Sequence, residues 1–348
     1  MARRSSSRIQ TAEKTFVFNL NPSNTANPKV NGAIIDIAQV YSLVNRVSMR
    51  QGYEYVVQSL EIGVQAGGAF EACIMRLPEH WSCINAWEKT MRLWMEQQDE
   101  TADQAGLEST RARYRDFKVH FDAAHSAAGF SSNLIPSGFA TTDAAGTNES
   151  YEWFPSEVVI PNDGAVGNTT ERLLHMVGPD VGSTSAGMIH AYADSRARPQ
   201  QTDPNIVDVP TGGLFGEMFD VGDDDNDIIT NYQDANEQPP YLLGMDGTEE
   251  YYPGGSFQGY SFGAGGAGYG SGQFVDILSV NAAQNYNSDT CPGFVAPCGL
   301  IQLSYNATGA NTPGVADVGD MPFGLWLKLV LAPGSYKGVL AQSMQEAN

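Results

Sequence analysis

The alternation of apolar and polar residues is most regular in two neighbouring stretches, residues 53–64 and residues 69–77. Residues 65–68 between them end in two glycines, which accept the positive φ angles of a tight turn, so the pattern predicts a β-hairpin. In the first stretch one face is clearly the more apolar, and we expect it to point inward. That face carries Val56, Gln58, Leu60, Ile62 and Val64. A lone hairpin is only marginally stable, so further strands must cover it.

Other stretches repeat with a period of two, or of three to four residues. The period of two predicts strands at residues 15–20, 111–121, 157–160, 171–177, 273–280, 299–306 and 324–332. The longer steps predict helices at residues 36–47, 82–98 and 186–196. Asp36 is a suitable N-cap for the first helix, and Glu88 and Arg92 are spaced for an i,i+4 ion pair on the second. The last strand should bury Leu325, Leu327, Leu329 and Leu331.

These elements predict an all-β chain with a few inserted helices. About eight to twelve short strands are typical of an antiparallel β-sandwich, and their irregular order with the helices argues against a parallel α/β sheet. The best fit is a sandwich of the jelly-roll type over residues 15–348, with long loop and helix insertions. A tandem double jelly roll, divided near residues 196–215, is the alternative.

Charge is unevenly distributed along the chain of 348 residues, whose net charge is −21. Residues 1–118 contain 14 Lys and Arg against 13 Asp and Glu, whereas residues 119–348 contain 5 against 27. So acidic a chain is not a general nucleic-acid binder, and we expect its contact with a polyanion to come from the basic arm at residues 1–14. The residues of this arm that should face nucleic acid are Arg3, Arg4, Arg8 and Lys14.

Three further arginines alternate in the predicted strand at residues 111–121, namely Arg111, Arg113 and Arg115. They could extend the positive surface of the arm. Pairing with the acidic linker predicted at residues 99–109 is at least as well supported, because opposite charges lie so close in sequence.

Catalytic motifs are absent from the sequence, which contains no GxSxG elbow, no P-loop and no HExxH pair. We therefore expect neither enzymatic activity nor a small-molecule substrate. His120, Asp122 and His125 could meet at a strand end and hold a metal. Ordinary strand-end residues beside a polar loop are the favoured interpretation.

An acidic cluster is the second candidate for metal binding, because carboxylate oxygens suit Ca²⁺. It consists of Asp220, Asp223, Asp224, Asp225 and Asp227. The spacing lacks the central glycine and closing glutamate of an EF-hand, so a solvated acidic loop is favoured. We predict no cofactor, with Ca²⁺ as the alternative.

The four cysteines form no CxxC pair. Cys73 lies in a predicted strand, where a small buried apolar residue is expected. Cys291 and Cys298 could close a small disulfide loop, which their spacing alone does not decide.

Several blocks of residues, taken in order, resemble the capsid proteins of small single-stranded DNA viruses from aquatic samples, including circular-genome viruses and tailless phages. The blocks are residues 35–77, 85–89, 116–122, 125–130, 297–301 and 331–334. The resemblance implies a jelly-roll coat protein, a structural protein that self-assembles into an icosahedral shell around single-stranded DNA. It also implies a location in the virion, after assembly in the cytoplasm or nucleus of a host cell.

The short arm departs from circovirus-like coats, which carry a long arginine-rich one. The resemblance therefore fits better with tailless phages that package DNA with separate basic proteins or inside a membrane. The expected partners are copies of the chain, the genomic DNA, and other virion proteins or an internal membrane.

Aromatic side chains are the expected anchors of contacts between copies. The candidates are Trp81, Trp153, Tyr251, Tyr252 and Tyr260. For Trp87 and Trp94, packing within the chain is the better interpretation. The competing hypothesis is a carbohydrate-binding or glycoside-cleaving sandwich, supported by the same aromatic residues and by the many carboxylates.

Overall fold

The computed structural model describes residues 12–20, 31–64, 68–106, 115–139, 153–161, 169–178, 185–197, 272–282, 287–309 and 325–346. The strands are β1 (Thr15–Asn19), β2 (Asn31–Asp36), β3 (Tyr53–Val64), β4 (Gly68–Arg76), β5 (Glu157–Pro161), β6 (Thr169–His175), β7 (Ser185–Gly187), β8 (Gln273–Ala282), β9 (Asn287–Cys291), β10 (Phe294–Ala296), β11 (Leu300–Gly309), β12 (Leu325–Leu331), β13 (Pro333–Tyr336) and β14 (Ala341–Ser343). The helices are α1 (Ile37–Asn45), α2 (Trp81–Gln104), α3 (Ala123–Ala128) and α4 (Met188–Ala197). The chain is thus mostly strand with a few helices, as predicted.

Most of the strands form two antiparallel sheets. Sheet A has the order β1-β12-β3-β10, with β9 and β14 also paired to β3. Sheet B has the order β2-β11-β4-β8. A third sheet, sheet C, has the order β5-β6-β7, in which β5 and β6 are antiparallel and β6 and β7 are parallel.

Sheets A and B share one apolar core, to which both contribute alternate residues. Sheet A supplies Phe16, Phe18, Leu60, Ile62, Leu327 and Leu329, among others. Sheet B supplies Ile35, Ile74, Leu278, Ile301 and Leu303. A core enclosed between two antiparallel sheets is consistent with a β-sandwich. The strict alternation of buried and half-buried residues along β12 matches its predicted pattern.

The predicted hairpin between β3 and β4 is wrong, because β3 lies in sheet A and β4 in sheet B. The chain instead passes from sheet A at Val64 to sheet B at Gly68. β3 pairs with β12 along most of its length, and β4 pairs with β11 on one side and β8 on the other. A local glycine signal cannot identify the pairing partner of a strand.

A β-bulge in β3 divides the predicted inward face into a correct and an incorrect half. Leu331 lies opposite Val57 and Val330 opposite Ser59, so Gln58 is an extra residue on β3. One extra residue reverses which face of a strand points inward. The buried apolar residues of β3 are Tyr55, Val57, Leu60, Ile62 and Val64. Inward positions are therefore as predicted after the bulge, whereas the bulged Gln58, and Val56 before it, point away from the core.

Helix α2 begins near the predicted position but continues through part of the predicted acidic linker, to Gln104. Side-chain bonds one turn apart stabilise this extension, since the Thr101 hydroxyl donates to the Gln97 carbonyl and Gln104 donates to Glu100. The predicted pair of Glu88 and Arg92 is formed. Helix α1 starts after Asp36, as the N-cap assignment required.

A second core joins α2, α4 and sheet C to one end of the sandwich. Its buried residues include Leu77, Ile84, Trp87, Phe117, Val119, Leu174, Met188 and Leu300. Residues 115–119, part of a predicted strand, are not in a sheet, yet Phe117, Val119 and Phe121 are buried on one side as the period of two indicated. The second core therefore holds the inserted elements between β4 and β8 against the sandwich.

The alternative division near residues 196–215 does not match the strand pairing. Strands that follow this stretch complete sheets begun before it, since β8 pairs with β4, β11 with β2 and β12 with β1. The beginning of this stretch, up to residue 197, is the end of α4, and α4 contacts α2. The described strands on both sides of the stretch thus form one sandwich.

Residues 133–137 cover one edge of each sheet. The Leu134 amide donates to the Ile34 carbonyl of β2 at 2.8 Å, and the Ser137 amide donates to the Val17 carbonyl of β1 at 2.7 Å. Open edges are sites of unwanted strand pairing, so this segment protects both.

All four cysteines are buried and free, so Cys291 and Cys298 form no disulfide. Burial raises the pKa of the Cys73 thiol to about 11 and that of Cys291 to about 12. Protonated thiols are poor nucleophiles, which suits a packing role. Over the part of the chain that the structure describes, no helix is long and apolar enough to cross a membrane.

The packing of β12 predicts a large difference between its two faces. Leu329→Ala should lower the free energy of unfolding by about 2–5 kcal/mol, because it leaves a cavity between the sheets. Lys328→Ala, one residue away on the outer face, should cost at most about 1 kcal/mol through the loss of its pair with Glu61. Urea denaturation monitored by tryptophan fluorescence measures both, and equal losses would contradict the assigned faces.

Candidate functional site

The root of the basic arm is fixed to the body of the protein beside the end of α1. The side chain of Asn45 accepts from the Glu13 amide at 2.7 Å and donates to the Glu13 carbonyl at 2.9 Å. The Lys14 carbonyl accepts from the Leu331 amide of β12 at 2.9 Å. These bonds determine where the arm leaves the sandwich. Arg3, Arg4 and Arg8 lie outside the described residues.

The predicted aromatic anchors differ in their positions. Trp81 is half-buried at the start of α2, with its ring 6.2 Å from that of Tyr192. Trp153 is only 8% exposed and lies within the chain's own core, so it is an internal residue rather than an exposed anchor. Tyr251, Tyr252 and Tyr260 lie outside the described residues.

Trp87 and Trp94 pack within the chain, as expected. Their ring centroids lie 5.8 Å and 5.5 Å from that of Phe117. Arg115 is paired with Asp99 of α2, in agreement with the acidic-linker interpretation of that arginine. Arg111 and Arg113 lie outside the described residues.

Asp36 is the centre of a buried polar network at the end of the sandwich. Its Oδ1 accepts from the amides of Ala38 at 2.9 Å and Gln39 at 3.2 Å, which caps α1. Its Oδ2 accepts from Trp153 Nε1 at 2.8 Å and Gln51 Nε2 at 3.1 Å. Burial raises the pKa of this carboxyl to about 6, although the four bonds favour the charged form and lower the pKa.

Gln51 joins this carboxylate to the segment that leads into the second core. Its Oε1 accepts from the Val119 amide at 2.6 Å, and its Nε2 donates to the Val119 carbonyl at 3.0 Å. The Gln51 side chain thus satisfies both the N–H and the C=O of Val119, as the backbone of a paired strand would. Lys118, which precedes Val119, forms an ion pair with Asp116 at 2.7 Å. Its Nζ lies 4.3 Å from the centre of the Trp153 ring.

His125 connects the same region to α1 through Asn133. Its Nδ1 accepts from the Phe121 amide at 3.0 Å, so the proton resides on Nε2, which donates to Asn133 Oδ1 at 2.7 Å. Asn133 Nδ2 in turn donates to Gln39 Oε1 at 2.7 Å. Burial lowers the pKa of His125 to about 4, against the opposing effect of the Asn133 bond.

His120 is stacked on Phe130, with ring centroids 4.3 Å apart, and meets the His125 ring edge-on at 4.9 Å. Its Nδ1 lies 3.3 Å from the Leu174 carbonyl, while its buried Nε2 has no hydrogen-bond partner. Burial, followed by the proximity of His125, lowers the pKa of His120 to about 3. Both imidazoles are therefore neutral at physiological pH.

The structure brings His120, Asp122 and His125 together without forming a metal site. Both ring nitrogens of His125 are used in bonds, and Asp122 accepts from the His125 amide at 2.7 Å and from Gln302 Nε2 at 3.1 Å. Within the described residues no group of three or more His, Cys, Asp or Glu side chains is placed to hold a metal. The acidic cluster at residues 220–227 lies outside the described residues.

The network thus joins α1, α3, sheet B and the second core. The sequence pattern predicted Asp36 as an N-cap and His125 as a strand-end residue. Gln51 and Asn133 were missed, since an isolated glutamine or asparagine gives no periodic signal, and Val119 and Gln39, which they bond, lie far away in sequence.

Comparisons with protein-family models, with curated proteins and with solved structures found no match to this chain.

Two buried neutral histidines predict a stability that depends on pH. Each must gain a proton on unfolding, so stability should be complete above pH 6.5 and decline as the pH falls toward 4. Asp36 has the opposite effect on stability. Its pKa is raised to about 6, so as the pH falls from about 6 to 4 the folded state takes up this proton before the unfolded state does and gains stability. The net loss from pH 6.5 to 4 should be roughly 2–4 kcal/mol. His120→Phe should flatten the profile in urea denaturation, and an unchanged slope would contradict this origin.

The donors around Asp36 predict a large effect of Asp36→Asn. The new amide can still cap α1 with its oxygen, but its NH₂ would face the N–H groups of Trp153 and Gln51. Buried donors without acceptors should cost about 2–4 kcal/mol. Trp153→Phe removes one of those donors, so the two changes should be less than additive in a double-mutant cycle. Strict additivity in denaturation measurements would show that the two side chains are not coupled.

Proposed function

We propose that this chain is a major capsid protein of the jelly-roll type, copies of which assemble into an icosahedral shell around single-stranded DNA. The observation that supports it most is the pairing of eight strands. Taken in chain order, these are β1, β2, β3, β4, β8, β9, β11 and β12. The first pairs with the last, the second with the seventh, the third with the sixth and the fourth with the fifth.

Such nested pairing is what a long antiparallel hairpin produces when it is rolled up on itself. Two more contacts, β3 with β12 and β4 with β11, complete the two sheets. A jelly roll consists of eight strands in two sheets connected as two Greek keys, and viral coats, lectins and cupins use it. The fold supports a coat protein without excluding the other uses, so the rest of the case comes from the surface and the charge.

Exposed apolar side chains favour contacts between copies. Phe154 is 66% exposed at the edge of the inserted region, and Val159 on sheet C and Phe274 on β8 are also exposed. In an assembly, these three side chains are candidates for apolar contacts between copies. The insertion between β4 and β8 gives each copy additional area for such contacts.

The charge distribution favours an interior that faces nucleic acid. A basic arm leaves an acidic body at one defined point, beside Asn45. In a closed shell the attraction of each short arm for DNA is multiplied by the number of copies. We infer that the arm faces the genome, with other virion proteins or an internal membrane as additional partners.

A glycoside-cleaving sandwich receives less support. That reaction requires two carboxyl groups facing each other across an open cleft. Among the described residues, the most deeply buried carboxyl is that of Asp36, which is enclosed by four hydrogen-bond donors and has no access to a substrate.

Electron microscopy of the purified full-length chain tests the proposal. We expect uniform shells or regular capsomers, and a deletion of residues 1–11 should leave them intact while lowering the ratio of absorbance at 260 nm to that at 280 nm. The deletion stops before Ala12 because residues 13 and 14 are bonded to the sandwich. A monomer that binds to glycan columns would overturn the proposal in favour of a carbohydrate-binding protein.

A further inference from the structure

Three separate parts of the chain meet around the root of the arm. Asn45 holds Glu13, as described above, and the Tyr41 hydroxyl donates to the Lys337 carbonyl at 2.6 Å. Lys337 Nζ donates to the Ser48 carbonyl. Gly338 follows Lys337 in the turn between β13 and β14. A Cβ on Gly338 would lie 3.1 Å from the Cβ of Ala12. Residues 12–14, 45–50 and 333–340 therefore form one continuous surface, which we call the root surface.

The root surface is basic although the chain is strongly acidic. Its charged residues are Lys14, Arg46, Arg50, Lys337 and Glu13, four cations against one carboxylate. Arg46, Arg50 and Lys337 are exposed and Lys14 is half-buried. In a chain with 19 Lys and Arg against 40 Asp and Glu, this local excess of positive charge is unusual. No stretch of sequence reveals it, because the cations come from three distant segments.

Two of these cations occupy backbone positions that disfavour them. Arg46 ends α1 with a φ of 53°, and Lys337 lies in its turn with a φ of 50°. Glycine or asparagine is preferred where a helix ends in the left-handed conformation, and also at such turn positions. Among the described residues, the only other non-glycine with positive φ is the buried Cys298. Long cationic side chains kept at strained, exposed positions point to a function for their charge.

We propose that the root surface binds the phosphate backbone of single-stranded nucleic acid and extends the contact made by the arm. The source of that nucleic acid, a packaged genome, rests on the proposed function. Arg and Lys neutralise phosphates without reading sequence, which suits a coat that must bind every part of a genome. The hydrogen bond from Lys337 to Ser48 holds the turn and the loop after α1 in one arrangement, so the cations form a common surface.

The double variant Arg46→Asn and Lys337→Asn tests this inference, because asparagine tolerates the left-handed conformation and should preserve the fold. We expect the melting temperature to change by only a few degrees, because relief of the left-handed strain at both positions offsets the loss of the hydrogen bond from Lys337 to Ser48. Affinity for fluorescein-labelled oligo(dT), measured by anisotropy at low salt, should fall about tenfold or more. The slope of log K against log[NaCl] should fall by about 1.4, since each lost phosphate contact removes about 0.7.

The matched control is Arg92→Gln with Lys328→Gln, which removes the same charge from an exposed position on α2 and a half-buried position on the outer face of β12. It should change the affinity less than twofold. An equal loss in both variants would overturn the inference, because the effect would then come from net charge alone. Preferential binding of the full chain to phosphatidylserine vesicles, lost in the double variant, would also overturn it in favour of a membrane contact.

The outcomes separate this inference from the proposed function. If shells form but the double variant binds oligo(dT) like the wild type, the root surface has no such role and the capsid proposal stands. If no shells form, but the double variant loses affinity for oligo(dT) and the control variant does not, the root surface binds nucleic acid and the capsid proposal fails.

Discussion

The burial of one carboxylate, that of Asp36, constrains how the parts of this molecule fit together. A charge removed from water requires hydrogen-bond donors on every side. Here the donors come from the first turn of α1, from Gln51 and from Trp153, which belong to three different regions of the chain. Each region must reach its place for the carboxylate to be satisfied. The network therefore sets the position of the second core relative to the end of the sandwich.

The distribution of charge gives the molecule a polarity that its fold alone would not. The chain as a whole is strongly acidic, whereas four cations collect where the arm begins. If many copies were arranged with the same orientation, these cations would all lie on one side of the layer. The same side would then attract a polyanion while the other remained soluble and mutually repulsive.

A structural feature could be predicted from the sequence when the residues that determine it lie close together in the chain. The leucines of β12, the N-cap of α1 and the pair between Glu88 and Arg92 all depend on residues within a few positions, and each was predicted correctly. The pairing of β3 and the bulge at Gln58 depend on β12, which is far away in the chain, and the pattern of β3 alone could not reveal them. The same applies to the contact of Asn133 with His125 and Gln39, and to the cations around the arm.

The nested strand pairing also determines when this protein can fold during its synthesis. β1, near the start of the chain, has its partner in β12, and Thr15 lies opposite Val330. β2 likewise waits for β11, and β4 for both β8 and β11. A ribosome must therefore deliver almost the whole polypeptide before either sheet can close, so the early strands remain exposed through most of translation. The helical insertion, whose contacts are nearer in sequence, is the part that can become ordered first.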